Sequence, residues 1–391
     1  MNEDKNKIVV QRIEEAIAKI DNKESVMYFF ISDCKNTPNS NTLYIYQMAR
    51  GLKELGYKVC MLYQLNDEYS KSELEQLKKK NKPIEQFRIF EGVDKWLGKE
   101  FSELPHLNIA TGKWTVSPSD FLFIPEVFPS LMRETFEKNI PCKRYVILQN
   151  FNYVTEFIPF GDQWSSYGIT NAIVANAGQE KLLKEVFPYV RTQRLSPYFN
   201  DNFRKPLMAK KLIVNIATSK GSTVEHIIKT FYWKYPTLQF VTFRSLNDSP
   251  IDTYAEMLKE GCITIWHDPD TPFGYSAIDA IKTGNIVIAK IPETIPEWAL
   301  DENGELKNCC VWYNNIEEIP SILMQVIGTW MRDEMPQELY DEMDKVCEMY
   351  KYDQWINDLK ALIESILNSR KQEYVILKGS IANKTEKTEE K

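Results

Sequence analysis

The sequence predicts an α/β protein of two Rossmann-like domains that face each other across a cleft. The first observation is a repeated succession of apolar segment, polar loop and amphipathic helix, which is typical of parallel βαβ units. The second is that this succession restarts at Lys211, after a stretch at 191–210 with little periodicity and two prolines. The third is the length of 391 residues, which suits two or three domains.

The N-terminal part is predicted to comprise an amphipathic helix at 1–24 and a Rossmann-like domain at 25–200. Its strands are nearly continuous apolar runs, as parallel strands covered by helices on both faces require. A helix at 42–55 is predicted to end at Gly56. The predicted strands are 25–32, 58–64, 121–124, 144–148 and 172–175.

The C-terminal part is predicted to comprise a second Rossmann-like domain at 201–350, a helix at 351–370 and a tail at 371–391. The tail ends in KTEKTEEK, which has no apolar residue, so it is expected to be largely disordered. The predicted strands are 211–217, 239–243, 262–266 and 285–289, and the predicted helices are 222–232, 251–259, 275–282 and 353–367.

Composition excludes several classes of function. The net charge of -7 argues against general binding to nucleic-acid backbone. Seven cysteines without C-x-x-C spacing and three histidines argue against a zinc site or a disulfide framework, so reduced thiols are expected. The charged N-terminus is unlike a signal peptide, and no apolar run reaches the roughly 18 residues of a spanning helix. A cytoplasmic protein without a transmembrane segment is therefore predicted.

One dense basic run contains Lys78, Lys79, Lys80 and Lys82. Such a run is compatible with peripheral contact to a membrane surface or another polyanion. A solvated helix end is the favoured alternative.

Ligands of open parallel sheets bind at the carboxyl ends of the strands, where the strand order reverses. Polar residues that directly follow predicted strands are therefore site candidates. In the first domain these include Asp33 and Glu126. In the second they include Ser219, Lys220 and the run 268–276.

That run carries a family resemblance. HDPDTPFGYSAIDAIKTGNIVIAKIPETIPEW resembles the donor-site segment of the group 1 glycosyltransferases, which have the GT-B fold. The matching positions are Phe273-Gly274, Asp279-Ala280-Ile281, Gly284, the apolar strand 286–289 and Pro296-Glu297. Weaker matches are SKGS at 219–222, TLYIYQMARGLKELGYKVCMLY and YDQWINDLKALIESI, and together they cover most of 25–367.

The resemblance implies a GT-B architecture, with the helix at 351–370 crossing back to the first domain. It also implies a nucleotide-sugar donor, transfer with retention, and neither metal nor cofactor. Asp279 stands where the family holds the ribose hydroxyls, and Lys220, after Ser219, stands where a basic residue faces the diphosphate. Thr271, preceded by Asp270, replaces the family's first glutamate. Phe273 leads to Gly274, Tyr275 and Ser276, whose amides would face the phosphates or sugar.

Each of these residues also has a plainer interpretation. Asp279 is alternatively a residue that offsets a helix dipole, and Lys220 a solvated turn lysine. Asp33 and Glu126 are predicted catalytic carboxylates on the acceptor side, with a helix cap or loop carboxylate as the alternative. Asp268-Pro269-Asp270 has the D-x-D form of a metal-binding pair, although plain loop carboxylates are favoured.

The sequence therefore predicts a glycosyltransferase whose acceptor is a glycan, lipid, protein or modified nucleobase. One alternative is a catalytically silent protein of the same fold that serves as a binding scaffold, which the replacement at Thr271 motivates. Another is a different two-Rossmann-domain enzyme, such as a sugar-nucleotide epimerase. An NAD-dependent dehydrogenase is disfavoured, because no G-x-G-x-x-G follows any strand.

Overall fold

The computed structural model describes residues 2–66, 79, 89–111, 114–199, 202–218, 220–247, 249–268, 273–292 and 295–389, with backbone only for 2–5 and 382–389. Within these residues two parallel sheets form the two domains. The predicted fold class is confirmed: the protein is α/β, with two Rossmann-like domains and a helix that crosses from the second domain to the first.

The N-terminal sheet has seven strands in the described residues, in the order β3-β2-β1-β4-β5-β6-β7. These are β1 Val26–Phe30, β2 Lys58–Tyr63, β3 His106–Asn108, β4 Phe121–Pro125, β5 Lys143–Leu148, β6 Asn171–Val174 and β7 Arg191–Arg194. The alternate residues of β1 enter two apolar clusters, with Met27 and Phe29 in one and Tyr28 and Phe30 in the other. Because both faces are covered, the strand needs an uninterrupted apolar run.

The C-terminal sheet has five strands in the described part of the chain, in the order β12-β11-β10-β8-β9. These are β8 Lys211–Ala217, β9 Thr242–Ser245, β10 Gly261–Trp266, β11 Ile286–Lys290 and β12 Val311–Tyr313. The strand order reverses at β8, which lies between β9 and β10. This is the position at which open α/β sheets bind ligands.

Helices flank the two sheets in the described residues. In the first domain they are α1 Asn2–Asp21, α2 Ser40–Glu54, α3 Lys99–Ser102, α4 Pro129–Glu137, α5 Phe151–Phe157 and α6 Ala177–Val186. In the second part of the chain they are α7 Gly221–Lys234, α8 Ile251–Glu260, α9 Tyr275–Lys282, α10 Ile319–Met331, α11 Gln337–Met349 and α12 Tyr352–Glu389.

The stretch at 191–210, whose weak periodicity and two prolines indicate an interdomain linker, is not wholly a linker. Its first residues form β7, which pairs with β6 from Asn171 opposite Arg191 to Val174 opposite Arg194. Sequence analysis does not predict this strand, because RTQR lies at a sheet edge and has no apolar pattern. The short strands β3 and β12 were also not predicted, and β9 begins at Thr242, three residues after the predicted start at 239.

The C-terminal tail is the main correction to the predicted organisation. Helix α12 does not end near residue 370 but continues to Glu389. Tyr374 is only 6% exposed and its hydroxyl contacts the Pro118 carbonyl. Ion pairs Lys371–Asp21 at 3.0 Å and Lys378–Glu14 at 2.5 Å join α12 to α1. Tertiary packing against α1, together with the high helix propensity of lysine and glutamate, extends the helix beyond its predicted end.

The beginning of α12 packs on α2 of the first domain. A Cβ atom at Gly51 would lie 2.6 Å from atoms of both Trp355 and Leu359, so only glycine permits this approach. The crossing helix, which follows the second domain in the chain, therefore packs against the first domain.

Candidate active site

A cleft of about 560 Å³ lies between the carboxyl ends of the two sheets. The first domain contributes the start of α2 with its preceding loop, and the segment 94–101. The second domain contributes the ends of β8 and β10, the loop residues Leu246, Asn247, Ser249 and Pro250, and the first turns of α8 and α9. The cleft thus occupies the strand-order reversal of the second sheet, where sequence analysis placed the donor.

Asp279 lies in the wall of this cleft although its residue is only 8% exposed. Its neighbours on α9 are the buried Ala277, Ile278, Ala280 and Ile281. Burial raises the pKa of the Asp279 carboxyl well above its usual value, and the Lys282 charge and the nearby Tyr254 hydroxyl oppose this shift. A carboxyl group that faces a cleft from an apolar wall is available to a polar ligand.

The turn before α9 depends on Gly274. Its φ of +75° is in the left-handed region, and an added Cβ would lie 2.9 Å from the Trp266 ring. Trp298 Nε1 donates to the Phe273 carbonyl at 2.7 Å, which fixes the turn from the other side. Tyr275 and Ser276, the first two residues of α9, consequently line the cleft. Their amides start a helix and have no partner within its first turn.

Phe273 is a packing residue of this turn. It is only 3% exposed and lies against Phe199, Tyr275 and Tyr350. It does not line the large cleft but borders a small gap between the two domains, together with Ser40 and Gln149.

Lys220 is exposed and immediately precedes α7 at the carboxyl end of β8. Its amide donates to Thr218 Oγ1 at 3.3 Å, and Thr218 itself lines the cleft. Lys220 is thus near the cleft but is not part of its lining. Ser219, Asp270 and Thr271, three of the predicted donor-site residues, lie outside the described residues.

The Asp33 carboxylate bridges two loops of the first domain by hydrogen bonds. Its carboxylate accepts hydrogen bonds from the backbone amides of Lys35 at 3.1 Å, Glu91 at 3.0 Å and Gly92 at 3.0 Å. Asp33 is not among the residues that line the cleft, and it positions the segment that leads into 94–101. These contacts match the loop-carboxylate interpretation of Asp33.

Glu126 is buried, with 1% of its surface exposed, and does not line the cleft. Its Oε1 accepts from the amides of Gln149 at 3.0 Å and Asn150 at 2.7 Å. Burial raises the pKa of the Glu126 carboxyl to about 7, against the lowering effect of these backbone hydrogen bonds. Asn150 caps α5, so Glu126 holds the loop from which that helix starts. Neither Glu126 nor Asp33 lines the cleft that contains Asp279, and their predicted catalytic roles remain predictions.

Sequence analysis missed two parts of the site. Tyr254 of α8 lines the cleft beside Asp279 and Ser276, but in sequence it is one residue of an ordinary amphipathic helix. The wall formed by 94–101 follows a segment with no recognisable periodicity. Its Trp96 carbonyl accepts from the Ile251 amide of the second domain at 3.4 Å, which joins the two walls.

No group of three or more potential ligands that could hold a metal occurs among the described residues, which exclude Asp270. None of the described helices is both long enough and apolar enough to cross a membrane. Of the predicted basic run, Lys79 is exposed, while Lys78, Lys80 and Lys82 lie outside the described residues.

Comparison with known proteins identifies the fold. No protein-family model matches the sequence. A search of curated protein sequences likewise finds no match. Solved structures do match. Sucrose-phosphate synthase from Thermosynechococcus elongatus is 11% identical, with a TM-score of 0.58 over 88% of this chain and 100% of that one.

The pneumococcal O-GlcNAc transferase GtfA, solved with UDP and GlcNAc, is 9% identical, with a TM-score of 0.58 over 88% of this chain and 99% of that one. Anabaena HepE, solved with UDP-glucose, is 11% identical, with a TM-score of 0.53 over 87% of this chain and 99% of that one. The chain therefore has the GT-B fold of glycosyltransferases, at a sequence identity that defines the architecture alone.

Proposed function

We propose that this protein is a glycosyltransferase that transfers a sugar from a nucleotide-sugar donor to an acceptor in the interdomain cleft. The observation that carries the proposal is the cleft itself, which lies at the strand-order reversal with the buried Asp279 carboxyl in its wall. The cleft volume of about 560 Å³ is within the range of small-molecule sites. The GT-B neighbours whose structures contain UDP or UDP-glucose support the same assignment.

In this proposal the donor lies against the second domain. Asp279 accepts hydrogen bonds from hydroxyl groups of the donor, and the amides that begin α9 face its phosphates or sugar. Lys220, exposed beside Thr218, provides positive charge for the diphosphate as the sugar departs. Ser219, Asp270 and Thr271 complete the donor contacts that the resemblance implies.

Transfer is proposed to proceed with retention and without a metal ion. The contacts of Asp33 and Glu126 leave no obvious general base on the first domain, and the departing phosphate itself takes the acceptor proton. Catalysis then rests on positioning and on electrostatic stabilisation of the leaving group. The acceptor lies against the wall formed by the start of α2 and 94–101, where Asn39, Ser40 and Glu100 provide polar groups.

The direct test is thermal unfolding in the presence of UDP, GDP, ADP, CMP and their sugar conjugates. A ligand at 100 times its dissociation constant adds about 2.7 kcal/mol of stability. At least one nucleotide should raise the unfolding midpoint, and its sugar conjugate should be turned over with acceptor or slowly hydrolysed. If no nucleotide changes the midpoint, the proposed function is wrong.

A silent scaffold with the same fold is the second candidate. It is favoured by one observation, that both predicted catalytic carboxylates are used in loop contacts. A scaffold would bind a nucleotide or glycan without turning over any sugar conjugate. Turnover of one conjugate would eliminate it.

A further inference from the structure

The starting observation is how the chain crosses from the first domain to the second. The crossing is the segment 195–199, directly after β7, in which Leu195 is 1% and Tyr198 6% exposed. The Tyr44 hydroxyl donates to the Leu195 carbonyl at 2.6 Å. Gln47 Nε2 donates to the Tyr198 carbonyl at 2.9 Å. Both donors are buried residues of α2, and Gln47 also lines the cleft, so the crossing is fixed to the first domain as far as Tyr198.

From Phe199 onwards the crossing is held by the second domain. Lys282 Nζ donates to the Phe199 carbonyl at 2.9 Å. The Phe199 amide donates to the carbonyl of Tyr350, directly after α11, at 3.3 Å. The attachment of the chain therefore changes from one domain to the other between two consecutive carbonyl groups, those of Tyr198 and Phe199. Such a point is where the motion of one domain relative to another is absorbed.

Lys282 connects this point to the cleft through a single helix. It is the last residue of α9, whose first two residues, Tyr275 and Ser276, line the cleft. At 1.5 Å per residue the helix is about 12 Å long. Its buried residues lie in the core of the second domain, so the two ends of α9 shift together. The position of the linker carbonyl is thus transmitted to the cleft wall.

A lysine at the end of a helix does not have to contact a linker. A solvated ammonium group interacts favourably with the helix dipole at this place without any further partner. Lys282 is instead partly buried, and it gives up hydration and rotamer freedom to reach a carbonyl of another segment. The hydrogen bond, which its charge strengthens, has to exceed these costs. The contact therefore serves the arrangement of the two segments and not α9 alone.

We propose that Lys282 is a positioning residue that sets the separation of the two cleft walls, because it fixes α9 to the linker at Phe199. Gln47 fixes the opposite wall, formed by α2, to the preceding residue of the same linker. The inference rests on the proposed function for its consequence, since a donor on one wall and an acceptor on the other react only at a defined distance. A misplacement of 1 Å lowers a rate by up to about 100-fold.

Hydrogen exchange of the ligand-free protein tests the contact directly. Lys282→Met keeps the length of the side chain, Lys282→Arg restores a charged donor, and Lys229→Met is the control, since that lysine forms an ion pair within α7. Lys282→Met should speed exchange of the Phe199 amide about 10-fold. The Leu195 amide, which donates to the Val174 carbonyl of the first domain, should be unaffected. Lys282→Arg should restore most of the protection, and equal exchange of the Phe199 amide in Lys282→Met and the control would overturn the inference.

Kinetics separate positioning from a merely structural role. The probes are the glucose conjugates of UDP, GDP and ADP. For the conjugate that wild type turns over, Lys282→Met should lower kcat about 10-fold or more and change KM by no more than about 3-fold. The proposed donor contacts lie in the second domain and are retained, whereas their distance from the opposite wall is no longer fixed. Lys282→Arg should recover most of kcat.

The Asp279 carboxyl provides the alternative role for Lys282. Burial raises the pKa of this carboxyl, and the Lys282 charge opposes that rise. If Lys282 served Asp279 instead of the linker, Lys282→Met would raise KM and leave kcat and the exchange of the Phe199 amide at their wild-type values, and the inference would be overturned. If wild type turns over no conjugate, the proposed transferase activity fails. The exchange of the Phe199 amide then decides by itself whether Lys282 positions α9 on the linker.

Discussion

Glu126 shows how a carboxylate can stabilise a loop and still make the fold sensitive to pH. Its folded-state pKa of about 7 exceeds the unfolded value of about 4.5, so the folded protein retains a proton that the unfolded chain releases. The stability that protonation provides is complete below pH 4.5 and is lost as the pH rises through 7. Over this window the loss is about 3 kcal/mol.

Glu126→Gln should remove that dependence, because the amide oxygen still accepts from Gln149 and Asn150 and nothing titrates. Between pH 4.5 and 8 the variant should gain about 3 kcal/mol relative to wild type. Urea unfolding at several pH values measures this difference. The exposed Glu137→Gln is the control and should follow wild type. If the free energy of unfolding of Glu126→Gln depended on pH in the same way as that of wild type, the Glu126 carboxyl would not be the cause of the pH dependence.

Asp279 is the residue on which donor binding should depend most. Charge-assisted hydrogen bonds contribute roughly 1.5–3 kcal/mol each, so Asp279→Asn should weaken nucleotide binding on the order of 10- to 100-fold. Folding should be unaffected or improved at neutral pH, because the carboxyl is buried among apolar residues and its pKa is raised. Calorimetry with the nucleotide identified by thermal unfolding measures the loss. Asp358→Asn on the exposed face of α12 is the control.

The opposite result is equally informative. If Asp279→Asn destabilises the fold while nucleotide affinity stays at the wild-type value, the carboxyl serves α9 alone. The donor site would then lie elsewhere.

At the scale of elements, helices α7 and α9 differ in what the glycine at the start of each must do. Gly274 needs a left-handed backbone and has Trp266 and Trp298 within 3.1 Å of its absent Cβ, whereas a Cβ at Gly221 would meet nothing within 4 Å. Gly274→Ala should therefore cost about 2 kcal/mol or more and also weaken nucleotide binding, because it displaces the start of α9. Gly221→Ala should leave stability equal or higher by about 0.5–1 kcal/mol. Chemical unfolding measures the stability of both variants, and calorimetry measures their nucleotide affinity. Equal losses in Gly274→Ala and Gly221→Ala would contradict the close packing at Gly274.

The end of α12 should matter for stability, against the expectation from its composition. Tyr374 is 6% exposed and contacts Pro118, whereas the adjacent Val375 is 61% exposed. Tyr374→Ala should lower the free energy of unfolding by about 3 kcal/mol, as for other buried aromatic residues. Val375→Ala should change it by no more than about 0.5 kcal/mol. A similar small effect of both substitutions would mean that this part of the helix does not dock in solution.

The elements that sequence analysis predicted well are those whose local pattern agrees with their packing. Helix α9 runs over the predicted 275–282, since its apolar residues recur at helical spacing and Gly274 and Gly284 bound it. By contrast, β7 is formed by RTQR, whose place in the sheet is set by pairing with β6. The continuation of α12 likewise depends on α1, which is more than 300 residues away in the sequence. Local sequence cannot encode such distant partners.

For the candidate site, the sequence predicted which residues follow the ends of strands, but it did not predict which groups their side chains contact. The rule that ligands bind after strands led to Lys220 and the run 268–276, but equally to Asp33 and Glu126, because it does not reveal which loop amides a carboxylate will meet. Asp279 was predicted from the family resemblance. Tyr254 gave no signal, since a tyrosine in an amphipathic helix is ordinary. Only the three-dimensional structure places its side chain in the cleft wall beside Asp279 and Ser276.

At the scale of the whole molecule, Glu297 of the second domain forms hydrogen bonds to the first domain. Its carboxylate accepts from Arg194 Nη1 at 2.7 Å and from the Ala177 amide at the start of α6. Glu297→Ala should change the free energy of unfolding by about 1 kcal/mol or less, because the side chains of the Arg194–Glu297 pair are 46% and 35% exposed. It should nevertheless widen the average separation of the domains. X-ray scattering of the ligand-free protein measures this, with Glu348→Ala on α11 as the control. Identical scattering of the two variants would show that other contacts set the arrangement.

The route of the crossing helix has a consequence for biosynthesis. Trp355 and Leu359 of α12 pack against Gly51 of α2, and Lys371 and Lys378 form ion pairs with α1. The last strand of the first domain, however, already ends at Arg194. At roughly 5–20 residues per second, a ribosome needs on the order of 10–30 s to pass from that strand to α12. During this interval the surfaces of α1 and α2 that α12 will cover are bare, while the second domain is still emerging. The first domain is begun early and completed last, so nascent chains should depend on chaperones that bind apolar helices until translation reaches α12.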